Sequence, residues 1–219
     1  VIDGPPVGPD GVPEAVVPEV PRAVSLAPFV LADGSRPPRD ETEVRLARSV
    51  VGLHVSFRCR DRDIWGTHRG RDEPLWEEEA VEVFLSPGPD DPARYFEFEF
   101  NPFGAIFDAM VENPRGDRTG MRVDASWNCE GIERRARIEP ALPGWCVDVT
   151  IPWRGVCDSE PPTVWRANFF RIERSRGRPA EFSAWSCPRT DPPDFHRPRR
   201  FGRLRLDGAT GGRGCSTRT

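Results

Sequence analysis

The side chains with chemical potential in this 219-residue sequence are acids and aromatic rings. Trp76 stands in "RDEPLWEEEAVEVFL" (71–85), after Pro74 and ahead of Glu77, Glu78 and Glu79, with Glu82 further into the run. Glu97, Glu99 and Asn101 recur in "YFEFEFN" (95–101), and Phe195 lies between proline-bearing turns in "DPPDFHRPRRFGRLRL". A pair of carboxylates can act as acid and base on a glycosidic bond. An acid-rich strand face supplies such pairs by accident, so a solvated or metal-holding face is the preferred reading. Asp61 and Asp63 in "DRDIW", with Asp90 and Asp91 in "PDDPARY", offer hard oxygens suited to calcium, although their spacing is not that of an EF-hand. A ring in a polar loop either anchors the core edge or waits for a ligand, and an exposed ring calls for an explanation. His54, His68 and His196 are the only histidines, and no HExxH, GxSxG, Walker A or strand-borne GxGxxG pattern is present.

These residues need a scaffold, and the sequence describes one made of strands. "LHVSFRC" alternates Leu53, Val55, Phe57 and Cys59 against His54, Ser56 and Arg58. "AVEVFL" sets Val81, Val83 and Leu85 opposite Glu82 and Phe84. "YFEFEF" places Phe96, Phe98 and Phe100 inward and Tyr95, Glu97 and Glu99 outward, and "WCVDVTI" turns Trp145, Val147, Val149 and Ile151 inward and Asp148 outward. "AIFDAMVE" and "WRANFFRIE" read as further strands. Period-two alternation is the mark of a pleated strand. Eight or more such strands split by turn residues predict an all-β antiparallel sandwich or jelly roll, with only a short helical turn after Pro152. Trp65, Trp165 and Trp185 are assigned to packing, and Cys59 to a buried thiol.

Composition bounds the rest. Apolar residues make up 37% and charged residues 30%, enough for one core in the middle of the chain. All 31 basic residues are arginine, but the net charge is −4, so nothing draws the chain towards nucleic acid. Six scattered cysteines contain no CxxC pair. No apolar run reaches the length of about 18 residues needed to span a membrane. Residues 1–21, rich in proline, read as an extended arm or linker, 22–207 as one domain and 208–219 as a small-residue tail. A complete chain would be cytoplasmic, and a chain trimmed of a leader would be extracellular.

Three stretches in this order, 57–87, 95–114 and 164–206, resemble the family 9 carbohydrate-binding modules, in particular the bacterial family 9-like proteins, over roughly residues 45–206. The resemblance implies a non-catalytic, DOMON-like β-sandwich that grips a terminal sugar of xylan or cellulose type between two rings, with calcium supporting the fold. Trp76 matches the first ring, and Phe195 falls where family binders carry a second tryptophan. Glu82 matches an acid of the binding strand and Asn101 an asparagine after the next strand. Glu99 departs from the family, whose sugar binders resemble one another in an arginine there. Glu82, Glu97, Glu99 and Asn101 lie on the non-core faces of two strands, so pairing of those strands would gather them into one polar patch. Two rival functions stay open. One is haem binding through Met110 and an opposed histidine, as in DOMON-like relatives. The other is a protein-interaction scaffold with a degenerate sugar slot.

Overall fold

Alternating apolar side chains build two sheets that share a core. A computed structural model of the chain describes residues 7, 8, 10–139 and 143–208. In chain order its strands are β1 (Glu14–Val17), β2 (Val24–Ser25), β3 (Val30–Leu31), β4 (Thr42–Arg48), β5 (Gly52–Arg60), β6 (Ala80–Pro87) and β7 (Arg94–Phe100). They continue as β8 (Ile106–Glu112), β9 (Arg122–Asp124), β10 (Glu133–Glu139), β11 (Gly144–Pro152), β12 (Val164–Glu173), β13 (Glu181–Ala184) and β14 (Gly202–Leu206). A single helical turn, α1 (Trp153–Val156), follows Pro152 as the sequence predicts. The larger sheet runs β1-β14-β12-β6-β7-β8-β9, with β13 and β3 attached beside β12, and the smaller runs β10-β11-β5-β4-β2. The result is the expected β-sandwich. Every pairing between these strands is antiparallel except that of β1 with β14. Among the described residues no helix is long and apolar enough to cross a membrane.

The main core lies between the sheets. Val55, Phe57, Val147 and Val149 from the smaller sheet meet Val83, Phe96, Phe98 and Phe169 from the larger one. Trp165 and Trp185 are buried in this layer, and Trp65 donates its indole N–H to the carbonyl of Arg174. Cys59 is buried too, and desolvation pushes its thiol up to about 12.

Two expectations need correction. Within the stretch read as an arm or linker, Glu14–Val17 belongs to the domain: it pairs residue by residue with Arg203–Leu206 and buries Ala15 and Val17. Prolines on both sides masked this four-residue strand, which sits at a sheet edge where proline is tolerated. Tyr95, Glu97 and Glu99 do not face solvent: all three are buried beneath segments that cross the outer face of the larger sheet. Of the expected tail 208–219, all but Gly208 lies outside the described residues.

Candidate functional site

Strand register gathers the acids. On the outer face of the larger sheet, Phe170 pairs with Glu82, Glu82 with Glu99, and Glu99 with Phe107. The row therefore reads ring, acid, acid, ring across four adjacent strands. In the neighbouring row Phe84 pairs with Glu97, and Glu97 with Ala109. Carboxylate oxygens of Glu82, Glu97 and Glu99 all lie within 4.8 Å of one another. Each is more than nine-tenths buried. Desolvation pushes Glu97 up to about 7 and holds Glu82 and Glu99 well above the usual carboxylate range, with neighbouring acids adding to the shift on those two. The nearness of Glu97 adds to the rise on Glu99.

The aromatic rims are set by two loops. Trp76 occupies a 3-10 turn, Leu75–Glu77, pinned by the buried Leu75. Its ring is 42% exposed and meets Phe107 edge-on at 5.1 Å and 79°. Its carbonyl accepts from Arg174 at 3.2 Å, and its backbone N–H opposes the rise on Glu99. The acids after it are structural. Glu78 accepts from the Thr67 N–H and hydroxyl, each at 2.6 Å, and Glu79 accepts from the Arg174 N–H at 2.7 Å.

Phe195 reaches the same cavity from the other side, but not as a free-standing platform. It is 7% exposed and stacks on Phe170 at 4.2 Å and 17°, with Phe182 edge-on to it at 6.0 Å. Core anchoring therefore takes most of this ring. Its loop is strapped down around it. The Asp194 N–H donates to the Thr190 hydroxyl at 2.9 Å, Arg118 donates to Asp194 at 2.6 Å, and His196 Nδ1 lies 2.7 Å from the Tyr95 hydroxyl. Burial holds His196 down at about 4, so its imidazole is neutral near pH 7.

Together these elements enclose a cavity of about 490 Å³, with the three glutamates, Trp76 and Phe195 in its lining. Phe107, Arg118, Arg174 and Phe182 also line it and were missed from the sequence. Phe107 was legible in principle, because the alternation that points Ile106 into the main core points Phe107 to the opposite face. Arg118 had no signal: it lies in the β8–β9 connection at a positive φ of 64°.

Asn101 is not part of the lining. Its carbonyl accepts from the Phe103 and Ala105 N–H groups, each at 3.0 Å, and its amide donates to the His68 carbonyl. It shapes the β7–β8 turn, where Gly104 takes a φ of 84° that few other residues adopt.

The expected calcium ligands do not converge. Both Asp63 oxygens accept from Arg176, and Asp61 Oδ1 accepts from the Asp63 N–H. Asp91 pairs at 3.2 Å with Arg166, while Asp61 faces Arg171, five residues along the same strand. Asp61 gathers instead with Glu79 and Glu173, all buried around the Arg171 guanidinium. A guanidinium already fills that position, so these residues do not fit a metal ion.

The haem ligands do not meet either. Met110 packs against the main core. His54 bonds Thr150 and Ser49 on the smaller sheet, His68 lies beside Glu73 and Glu78, and His196 bonds Tyr95.

A sequence model described as carbohydrate-binding family 9 matches residues 32–206 of the 219. The chain belongs to carbohydrate-binding family 9. A relative described as an extracellular protein, from Arthroderma benhamiae, is 28% identical over 169 residues, covering 73% of this chain and 75% of the relative. Among solved family 9-like structures, a candidate carbohydrate-binding protein from Bacteroides uniformis is similar at a TM-score of 0.70 and 20% identity, over 89% of this chain and 99% of that one. A family 9 module from Caldicellulosiruptor kristjanssonii in complex with cellotriose is similar at 0.62 and 14% identity, over 90% and 95%. These likenesses are likenesses of fold.

Proposed function

We propose that the cavity above Glu82, Glu97 and Glu99 holds a terminal gluco- or xylo-configured sugar of a xylan- or cellulose-type glycan, without cleaving it. The observation that carries the reading is Trp76. It is a partly exposed indole at a cavity with a buried polar floor. A pyranose has C–H groups on its faces and hydroxyls at its rim, so an indole covers a face while carboxyls exchange hydrogen bonds with the rim. Phe195 adds the part of its ring that its own packing leaves free. Membership of the family supports the class of ligand, as do relatives solved with cellotriose and with glucose.

Magnitudes limit the affinity. Covering ~100 Å² of sugar gives about 2–3 kcal/mol at ~25 cal/mol per Å². Binding at ~10–100 µM needs about 5.5–7 kcal/mol, so the rim hydrogen bonds supply the rest. The acids support binding more than hydrolysis. All three rise from one sheet face, whereas a glycosidase sets two carboxyls on either side of the bond it breaks. The test is calorimetric titration of xylo- and cello-oligosaccharides into the protein and into Trp76→Ala. Saturable binding lost in a folded variant is expected, and unchanged affinity in that variant would overturn the proposal.

A further inference from the structure

The acids in the cavity floor lack a counter-charge. Among the described residues none of Glu82, Glu97 and Glu99 belongs to an ion pair. Glu99 Oε2 is buried and has no hydrogen-bond partner among the described residues. Glu82 and Glu99 stand directly opposite each other across two strands, an arrangement that costs stability when both are charged. The cationic groups at the rim are committed elsewhere. Arg118, 51% exposed, donates to Asp194. Arg174 lies over the Phe182 ring at 5.3 Å and donates to the Trp76 carbonyl. His196 is neutral against Tyr95. The fold thus keeps three carboxyls at the bottom of the cavity with no ion-pair partner among the described residues; Arg118 acts on Glu82 and Glu97 only from a distance while it holds Asp194.

We infer that the preferred ligand is a cationic sugar, an aminohexose unit whose free ammonium group sits over Glu82, Glu97 and Glu99 while its ring lies against Trp76. The inference rests on the sugar reading above and narrows it. An ammonium group presents three N–H donors, matching three carboxylates, and it supplies a positive charge to the cluster. The ring faces of Trp76 and Phe107 add cation–π attraction at the edge of the same row. A bare metal ion fits less well. Calcium takes six to eight oxygens, and the cluster offers one ligand atom from each of three carboxyls. A neutral sugar offers hydroxyl donors but no positive charge, so it leaves the acids to be neutralised by protons alone.

The experiment compares three disaccharides that share ring and linkage and differ at one substituent: β-1,4-linked glucosamine dimer, its N-acetylated form, and cellobiose. Each is titrated calorimetrically at neutral pH into the intact protein and into folded Glu82→Gln/Glu99→Gln. The free amine is expected to bind about tenfold tighter than cellobiose, a difference of about 1.4 kcal/mol. The double substitution is expected to cut that preference below about threefold. If it does not fold, Glu97→Gln serves instead and is expected to lower the preference by about half. Amine binding no tighter than cellobiose overturns the inference and leaves the sugar reading standing. If none of the three binds, both fall. A preference that survives the substitutions overturns it as well. So does saturable calcium binding to the sugar-free protein that competes with the amine and disappears in the same variants.

Discussion

Among the described residues there are two buried acid triads, and one of them contains its own cation. Asp61, Glu79 and Glu173 surround Arg171, whose guanidinium also donates to the Arg60 carbonyl at 2.7 Å and so ties the end of β5 in the smaller sheet to β12 in the larger. Glu82, Glu97 and Glu99 are as deeply buried but lie on the outer face with no arginine paired to them, because Arg118 holds Asp194 and Arg174 holds the Trp76 carbonyl. Neighbouring residues of β12 serve the two sites: Arg171 turns towards the first, and Phe170 pairs with Glu82 in the second. Identical acid content therefore means an internal clamp in one place and an unfilled receptor floor in the other. What separates them is whether the chain supplies the compensating charge.

The largest expected effect tests the clamp. Arg171→Met removes its cation and leaves buried acids unpaired, so it should cost about 3–5 kcal/mol of unfolding free energy in denaturant titration. A loss below about 1 kcal/mol would show that the acids there are neutral without help and would erase the distinction.

Next comes Trp76→Ala at the receptor. It should weaken sugar binding by about 2 kcal/mol, roughly thirtyfold, while the half-exposed position leaves the unfolding midpoint nearly unchanged.

A pH effect sharpens the contrast. Glu97 titrates at about 7 in the folded protein against an ordinary 4.5, so the folded state holds its proton over a range in which the unfolded chain has lost it. Its contribution to stability is complete below about pH 4.5 and is lost as pH rises through about 7. Glu97→Gln should flatten that decline in melting temperature. Glu79, raised to about 9, has the same sign over a window reaching further up. His196 works the other way: held down at about 4 against 6.5, it destabilises the fold as pH falls between those values. His196→Gln should therefore flatten the acid side alone.

Smallest of all is Asp63→Asn, at an exposed pair with Arg176, which should leave the denaturation midpoint where it was.

Much of the scaffold was legible because period-two alternation marks a strand whatever its surroundings. The surroundings themselves were not legible. In β5 the polar set behaves as alternation suggests: Arg58 is exposed, and Ser56 bonds the Asp148 carboxylate at the edge of solvent. In β7 the same pattern conceals a second buried layer, because the loop holding Phe195 crosses above Tyr95 and Phe84. Nothing within "YFEFEF" distinguishes an outer face from a covered one. That depends on residues about a hundred positions away. Trp76 was recognisable from its place ahead of an acidic run, but the run itself proved to be loop fastening. Asn101 was misjudged because a side-chain amide that closes a turn looks, in sequence, like one that reads a ligand.

The parallel pairing of β1 with β14 bears on how this protein should be cut for expression. The family match begins at residue 32, and composition suggests a start near 22, yet both borders fall after Glu14–Val17. A recombinant fragment begun at either point strips one side of β14, uncovers hydrophobic contacts around Leu204 and Leu206, and leaves a sticky ribbon open to other molecules.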